Sequence, residues 1–371
     1  MSTTTITQAA PLHQTAPKKG KIRYVAAGHM PQASPHLFHL PEASEIQDER
    51  LLTLHNMRPI PTVKELPASA NHAQLETHGF TAVHHPTALN AAPYNSLSWR
   101  DPDLLEKYYL PETADMLRQI TGCKYVVADG LVLRAAKGSD DDAVAIQVQR
   151  SNEGNQGGNG SELARKRSQL DLVTGFPQFI GFDPTQGGGK PSAKVHLDYT
   201  PSGARTHLRK FHPKFTEAAA DIIKAEDALL AEGKDLKTNY KESNGPRWAI
   251  YSIWRPLKTV RRDALAVSDQ RTVQPDDYVP TVMKFPYLGQ LGVTRTHDID
   301  SYLSRYSESH KWFWVEEQKA EEVLVITFFD SDAEKDGGLA SGGVLHSSVE
   351  LPGTEDEELR ESVELRCLCV W

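Results

Sequence analysis

Two histidines and one aspartate in this chain have the types and spacing needed to hold one metal ion. His196 and Asp198 are separated by a single residue in a β-favouring segment, and His346 lies far downstream. Alternate residues of a strand project to the same face, about 7 Å apart along the chain. Two imidazoles and one carboxylate on one face of an octahedron leave the other three positions open for reaction, which suits a catalytic iron(II) ion.

A three-residue pattern alone has little weight, but the residues that follow His346 add to it. Arg360 lies 14 residues after His346, at the start of the last predicted strand, and Ser362 follows on the same face. The planar fork of an arginine pairs with a carboxylate through two hydrogen bonds, and a serine hydroxyl adds another. The order H-x-D, His, R-x-S therefore predicts a metal centre beside an anchor for the distal carboxylate of 2-oxoglutarate.

Each assignment after Asp198 has an alternative. His310 is the rival third ligand, although its position before an aromatic strand favours a packed or substrate-facing role. Arg366 shares a strand face with Arg360 and is the rival anchor; its structural interpretation is a surface pair with Glu364.

Three further side chains join His310 as candidates for substrate binding. Tyr199 and Arg205 flank the predicted metal strand, so either could line the pocket. Arg255 lies in an apolar stretch, where a buried arginine needs a partner, and Asp269 is one candidate. Its functional interpretation is a grip on a substrate or cosubstrate carboxylate.

The bulk properties exclude several classes of protein. With 371 residues, 39% hydrophobic and 24% charged, the chain is typical of soluble globular proteins. A net charge of -8 builds no basic face, so we expect no nucleic-acid partner. No apolar run approaches the length of a membrane span, so we expect no membrane partner. Three cysteines without zinc-type spacing, and no secretory signal, indicate a reducing, cytoplasmic compartment.

Strands must position the candidate ligands, and the pattern predicts many of them. Helices are predicted over 102–121, interrupted at Pro111, and over about 213–232. Predicted strands cover 125–128, 131–135, 144–148, 194–199, 248–254, 312–315, 322–329 and the alternating C-terminal stretch. This distribution predicts a mainly β fold with helical additions, a sandwich or jelly roll. We expect residues 1–20 to form a disordered tail and 21–371 a single domain.

The sequence resembles the fungal and bacterial iron(II)/2-oxoglutarate oxygenases grouped around gibberellin desaturase, the cephalosporin 7-alpha-methoxylase subunit and the AsaB-type hydroxylases. The resemblance spans roughly residues 20–371. It is carried by 54–58 (LHNMR), 108–122, 195–204 (VHLDYTPSGA), 254–257 (WRPL), 310–314 (HKWFW), 329–331 (FDS) and 360–366 (RESVELR).

This resemblance implies a double-stranded β-helix core. It also implies iron(II) on His196, Asp198 and His346, 2-oxoglutarate near Arg360 and Ser362, and O2 as second cosubstrate. One departure is that two serines follow His346, where the family favours Thr-Ala or similar, which could alter the pocket.

The family's reactions are hydroxylation, desaturation and oxidative ring closure, including aziridine formation. They imply action on an unactivated C–H bond of a small molecule in specialised metabolism, either a terpenoid or an amino-acid-derived compound. Two alternatives stay open: assembly as a homodimer and, because the family includes subunits that act in pairs, a catalytically inactive jelly-roll binding or partner subunit.

Overall fold

The computed structural model of the protein describes residues 17–31, 48–66, 75–135, 179–180, 191–242, 245–286, 296–335 and 342–371. The strands in these ranges are β1 (Lys19–Tyr24), β2 (Asp48–Asn56), β3 (Phe80–His84), β4 (Tyr125–Ala135), β5 (Phe179–Ile180), β6 (His196–Leu197), β7 (Trp248–Pro256), β8 (Ala264–Ser268), β9 (Tyr278–Pro286), β10 (Thr296–Ser304), β11 (Trp312–Trp314), β12 (Glu322–Asp330), β13 (His346–Val349) and β14 (Glu361–Val370). The α-helices are α1 (Leu75–His78), α2 (Pro102–Leu104), α3 (Leu110–Thr121), α4 (Pro201–Lys210), α5 (Pro213–Ala218), α6 (Ala220–Ala231) and α7 (Leu236–Lys241).

The described strands form two sheets. One has eight strands in the order β1-β2-β11-β8-β13-β6-β10-β9, and the other has six in the order β3-β12-β7-β14-β4-β5. Side chains from both sheets meet in one large core, which includes Leu197, Trp254, Val267 and Phe328. The mainly β, jelly-roll fold predicted from the sequence is confirmed.

A second core layer covers the other face of the six-stranded sheet. Residues of β12 alternate between the layers: Leu324 and Ile326 contact the core between the sheets, while Val323 and Val325 face the helical side. Both faces of this strand are covered, which explains why its apolar run is almost uninterrupted.

The helical region at 102–121 supplies much of that second layer. Asp101 accepts hydrogen bonds from two backbone amides of α2, and Gly122 ends α3 at a φ of 69°. The predicted interruption at Pro111 is not a break. The chain passes through a π-helical turn, Leu105–Tyr109, and Pro111 then occupies the first turn of α3, where a missing N–H costs little.

Other element predictions need correction. The helix predicted over 213–232 is two helices, α5 and α6, which meet at Ala219. The two strands predicted at 125–135 are one strand, β4, with a register shift opposite Leu365 and Arg366 of β14, next to Gly130. Helix α4 was not predicted.

The ends of the predicted domain are only partly described. Strand β1 begins at Lys19, inside the predicted tail, while residues 1–16 and the strand predicted at 144–148 lie outside the described residues. The single domain over 21–371 stays a prediction. Within the described ranges, no helix is both long enough and apolar enough to cross a membrane.

Candidate metal centre

His196 and His346 lie directly opposite each other on neighbouring strands. β6 and β13 pair antiparallel at this one position, and the two imidazole centroids are 4.2 Å apart. Asp198 follows β6 by one residue and returns to the same face. One ligand atom from each of the three side chains lies within 4.8 Å of the other two. The structure therefore brings together His196 and Asp198, which the i, i+2 spacing selected, and His346, which was predicted from its place before Arg360 and from the family resemblance.

Each imidazole is oriented by its own strand. His196 Nδ1 lies 2.8 Å from the carbonyl oxygen of Lys194, and His346 Nδ1 lies 3.1 Å from that of Val344. A carbonyl accepts only, so Nδ1 carries the proton and donates it, which leaves the lone pair on Nε2. Burial, followed by the charge of His346, lowers the pKa of His196 well below its usual value. Neutral imidazoles with Nε2 free are the form that binds a metal.

The carboxylate of Asp198 has one oxygen toward the histidines and the other toward an arginine. Its Oδ1 lies 3.5 Å from His196 Nε2 and 4.0 Å from His346 Nε2. Its Oδ2 accepts a 2.7 Å hydrogen bond from Arg366 Nη2. Burial favours a raised pKa, but the charge of Arg366 and the hydrogen bond that it donates outweigh burial, so the pKa of Asp198 lies below its usual value. The arginine thus keeps Asp198 ionised.

The face behind the metal ligands is aromatic. Phe328 stacks on the His346 ring at 5.2 Å with an interplanar angle of 15°, and Arg366 lies over the same phenyl ring at 5.6 Å. Tyr199, which is 2% exposed, accepts a 2.9 Å hydrogen bond from Arg366 Nε. This packing fixes the back of the site.

Arg360, the predicted anchor for a carboxylate, is buried beside the three candidate metal ligands. It is 3% exposed, lies over the Trp254 ring at 5.1 Å and donates from Nη1 to the Asp263 carbonyl at 2.6 Å. Asp263 has a φ of 54°, a left-handed conformation that costs energy for a residue with a side chain and is common near functional sites. Burial lowers the pKa of Arg360 to about 10.

Two buried donors near this anchor have no partner among the described residues. They are Arg360 Nε and Ser362 Oγ, and Ser362 is fully buried. Buried donors without an acceptor are costly and therefore rare. Arg360 lines the cavity that also holds the three candidate ligands, so a carboxylate bound there would accept from its guanidinium, and the residues present fit a dicarboxylate cosubstrate.

One cavity connects the ligands with the anchor. Four cationic side chains and two carboxylate side chains line this cavity. Because the cations are in excess, the cavity suits a ligand with two negative charges. Ser348, part of the departure from the family pattern, also lines it and donates to the same Asp263 carbonyl as Arg360. The lining residues are Arg134, Ser192, Lys194, His196, Asp198, Leu265, Met283, His346, Ser348, Arg360, Glu364 and Arg366.

His310 lies apart from the three ligands. Its side chain is fully buried, with Nε2 3.0 Å from Asp277 Oδ2 and Nδ1 3.3 Å from the Tyr24 hydroxyl, and its ring stacks on Tyr24. It therefore occupies a packed position, and His346 is the histidine that meets His196.

Arg255 and Arg205 also point elsewhere. Arg255 is on the face of β7 that packs toward Tyr109, and it donates to the carbonyls of Ala320 and His85. The predicted partnership with Asp269 is wrong, because that carboxylate is bound by the side chain of Arg271, two residues away. Arg205 of α4 pairs with Glu226 and Glu334.

Sequence reasoning missed the principal role of Arg366. The predicted surface pair with Glu364 is wrong, since Glu364 is bound by Arg134 and Arg366 is bound to Asp198. Strand periodicity placed Arg360, Glu364 and Arg366 on one face, but it did not show that this face lies opposite β6 and β13.

Comparisons with known proteins identify relatives of this chain. A family model described as an oxidoreductase/YMDC permease-like domain matches residues 31–370. Oxidoreductase chry3 of Gibberella zeae is 34% identical, over 96% of this chain and 99% of its own. The gibberellin cluster GA4 desaturase of Gibberella fujikuroi is 34% identical over 83% and 86%. The alpha-ketoglutarate-dependent dioxygenase tstK of Talaromyces stipitatus is 26% identical over 84% of each chain.

A solved structure supports the fold. The iron and alpha-ketoglutarate-dependent endoperoxidase NvfI superposes with a TM-score of 0.56 at 21% identity, over 95% of this chain and 97% of that one.

Proposed function

Since this chain belongs to the family of iron(II)- and 2-oxoglutarate-dependent oxygenases, we propose that His196, Asp198 and His346 hold its iron and that Arg360 and Ser362 bind 2-oxoglutarate. The chain is an oxidoreductase of the non-haem iron dioxygenase type, with Fe(II), 2-oxoglutarate and O2 as its cofactor and cosubstrates. The observation that carries the assignment of residues is the convergence of three ligand atoms within 4.8 Å.

The donor set fits iron(II) chemically. Two imidazole nitrogens and one carboxylate oxygen form the two-histidine, one-carboxylate donor set of non-haem iron(II) sites, which leaves three positions of an octahedron open. Bound iron with 2-oxoglutarate and O2 supplies the oxidation of an unactivated C–H bond. The protein supplies geometry: the Lys194 and Val344 carbonyls orient the imidazoles, and Arg366 orients the carboxylate.

The cosubstrate anchor works by charge and by direction. The distal carboxylate of 2-oxoglutarate would accept from Arg360 Nε and Ser362 Oγ, the two buried donors without a described partner. The Asp263 carbonyl accepts a hydrogen bond from Nη1 of the same guanidinium. This contact fixes the orientation of the Arg360 side chain. The two charges of 2-oxoglutarate would then lie between the metal and Arg360, in a cavity rich in cations.

We further propose that the substrate is a small molecule of specialised metabolism whose C–H bond is hydroxylated, desaturated or closed into a ring. Relatives carry the names desaturase and hydroxylase/desaturase, which supports this range of outcomes. The alternative of an inactive binding subunit is not favoured, because all three ligand side chains and the anchor are present and face one cavity.

The test compares two histidine substitutions. His346→Ala and His310→Ala each remove a buried imidazole, but only His346 lies at the metal site. Anaerobically purified wild-type protein and His310→Ala are expected to bind about one Fe(II) per chain, and His346→Ala to lose it. His196→Ala should likewise abolish succinate formation from 2-oxoglutarate. Wild-type iron content and succinate yield in His346→Ala would overturn the ligand assignment.

A further inference from the structure

A buried chain of polar side chains continues from Asp198 away from the metal ligands. One edge of the Arg366 guanidinium makes two contacts: Nη2 donates to Asp198 Oδ2 at 2.7 Å, and Nε donates to the Tyr199 hydroxyl at 2.9 Å. The same hydroxyl lies 3.2 Å from Nδ1 of His207. All four residues are at most 7% exposed.

The hydrogen bonds in this chain can all be satisfied in one direction. A guanidinium only donates, so the Tyr199 oxygen accepts from Arg366. The Tyr199 proton is then available to His207 Nδ1, which accepts it in the tautomer that carries its own proton on Nε2. Burial, followed by the charges of His212 and Arg366, lowers the pKa of His207 well below its usual value, so this ring is neutral and can accept. Each bond therefore supports the next.

His207 is itself held in place, because helix α4 is anchored at its first turn. The Thr200 side chain caps the helix, and Ser202 Oγ donates to the Asp300 carboxylate. Gly203 approaches the Asp300 carbonyl so closely that a Cβ there would lie 2.0 Å from its oxygen. The His207 and Phe211 rings stack at 5.0 Å. The far end of the polar chain is thus part of a tightly seated helix.

We propose that Tyr199 and His207 are positioning residues, which lock Arg366 so that Asp198 binds the metal through one oxygen only. Asp198 Oδ1 faces both His Nε2 atoms while Arg366 holds Oδ2. If Arg366 were free to turn away, Oδ2 could rotate toward the metal and occupy a position that 2-oxoglutarate or O2 requires. This inference rests on the proposed metal function and assigns a role to residues outside the ligand set.

The test uses two matched tyrosine substitutions. Tyr199→Phe removes a hydroxyl that accepts from Arg366 and bonds to a histidine ring. Tyr24→Phe removes one that accepts from Trp312 Nε1 at 2.8 Å and lies 3.3 Å from a ring nitrogen of His310, with no link to the metal site. Both tyrosines are at most 2% exposed. The pair therefore matches burial and lost hydrogen bonds but differs in the connection to Asp198.

Co(II) alone is the probe, titrated into metal-free protein and followed by calorimetry and by its visible absorption. We expect Tyr199→Phe to weaken Co(II) binding about tenfold, the usual effect of removing an outer support of a ligand, and to change the visible spectrum. Tyr24→Phe should leave both unchanged. His207→Leu, which removes the last acceptor and the ring that stacks on Phe211 but leaves Tyr199 and Arg366 in place, should shift binding in the same direction and decides the matter if Tyr199→Phe does not fold.

The outcomes separate this inference from the proposed function. Wild-type affinity and spectrum in Tyr199→Phe, or an equal loss in Tyr24→Phe, would overturn the positioning role while the metal site stands. Failure of the wild-type protein to bind Co(II), or unchanged binding in His346→Ala, would overturn the proposed function itself.

Discussion

Replacing Arg360 by methionine should weaken 2-oxoglutarate binding without destabilising the fold. Arg360 forms no ion pair within the described part of the chain and donates to one carbonyl, that of Asp263. Burial lowers the pKa of its guanidinium from 12.5 to about 10, which corresponds to about 3 kcal/mol of unfavourable burial. Loss of the carbonyl hydrogen bond offsets about 1–2 kcal/mol of this. Metal-free Arg360→Met should therefore be as stable as wild type, or more stable by about 1–2 kcal/mol.

The effect on 2-oxoglutarate should have the opposite sign. A hydrogen bond to a charged group contributes about 1.5–3 kcal/mol, and methionine offers no donor to the distal carboxylate. At about 1.4 kcal/mol per factor of ten, the Kd for 2-oxoglutarate should rise roughly 10- to 150-fold. Succinate formation at increasing 2-oxoglutarate measures this change, and urea unfolding of metal-free protein measures stability.

Arg255→Met is the matched control. Arg255 is also fully buried, but it lies on the opposite face of the neighbouring strand and donates to two carbonyls, those of Ala320 and His85. Its substitution should lower stability and leave the KM for 2-oxoglutarate unchanged. Two results for Arg360→Met would contradict the reasoning. An unchanged affinity for 2-oxoglutarate would refute the role of Arg360 as the anchor. A loss of more than about 2 kcal/mol in the free energy of unfolding of Arg360→Met would refute the argument from charge burial.

Two further predictions concern stability and are measured by urea unfolding. Burial, followed by the charge of Arg255, lowers the pKa of His85 from 6.5 to about 4. Between these two pH values, His85 is therefore protonated in the unfolded chain and neutral in the folded protein. As the pH falls from 6.5 to 4, the free energy of unfolding should therefore decrease, by roughly 1 kcal/mol near pH 5 after screening. His85→Gln should lack this part of the pH dependence. The same pH dependence in the variant as in wild type would contradict the prediction. Gly130→Ala should lower the free energy of unfolding by about 2–4 kcal/mol, and Gly122→Ala by only about 1 kcal/mol. Both glycines have a positive φ, but only at Gly130 would an added Cβ meet another side chain, that of His212 at 2.7 Å. Equal losses in the two variants would refute the steric argument.

The ligand strand could be predicted because its information is local. Spacing i and i+2 on a strand fixes a shared face for His196 and Asp198 whatever the rest of the fold does. The alternation of β14 similarly placed Arg360, Ser362 and Arg366 together. Periodicity does not show which residue of a strand lies beside which residue of the neighbouring strands. The register of β14 against β4 and β7 was therefore needed to tell that Arg366 contacts Asp198 and that Arg360 lies further along the cavity.

Long-range partners were the part that sequence could not supply. Asp269 was a reasonable partner for Arg255 on charge alone. However, Arg255 lies in the six-stranded sheet, Asp269 directly follows β8 of the eight-stranded sheet, and Arg271 is close enough to bind Asp269 locally. Helix α4 escaped prediction because its sequence, PSGARTHLRK, contains few apolar residues at helical spacing. Its signals were a capping Thr200 and a proline at the first helical position, both visible in the sequence.

If His196 and His346 bind the metal as proposed, their direct pairing across β6 and β13 also gives the metal a structural role. The two ligands are separated by 150 positions along the chain but lie on the same rung of the sheet. An ion bound by both histidines acts as a reversible cross-link between the two ends of this long loop. Closing a long loop reduces the number of conformations open to the unfolded chain. Because the unfolded chain has no such paired site, iron bound here adds to stability in proportion to the logarithm of its free concentration. A slip of β13 by one residue would turn His346 to the other face, so the cross-link also selects the correct register.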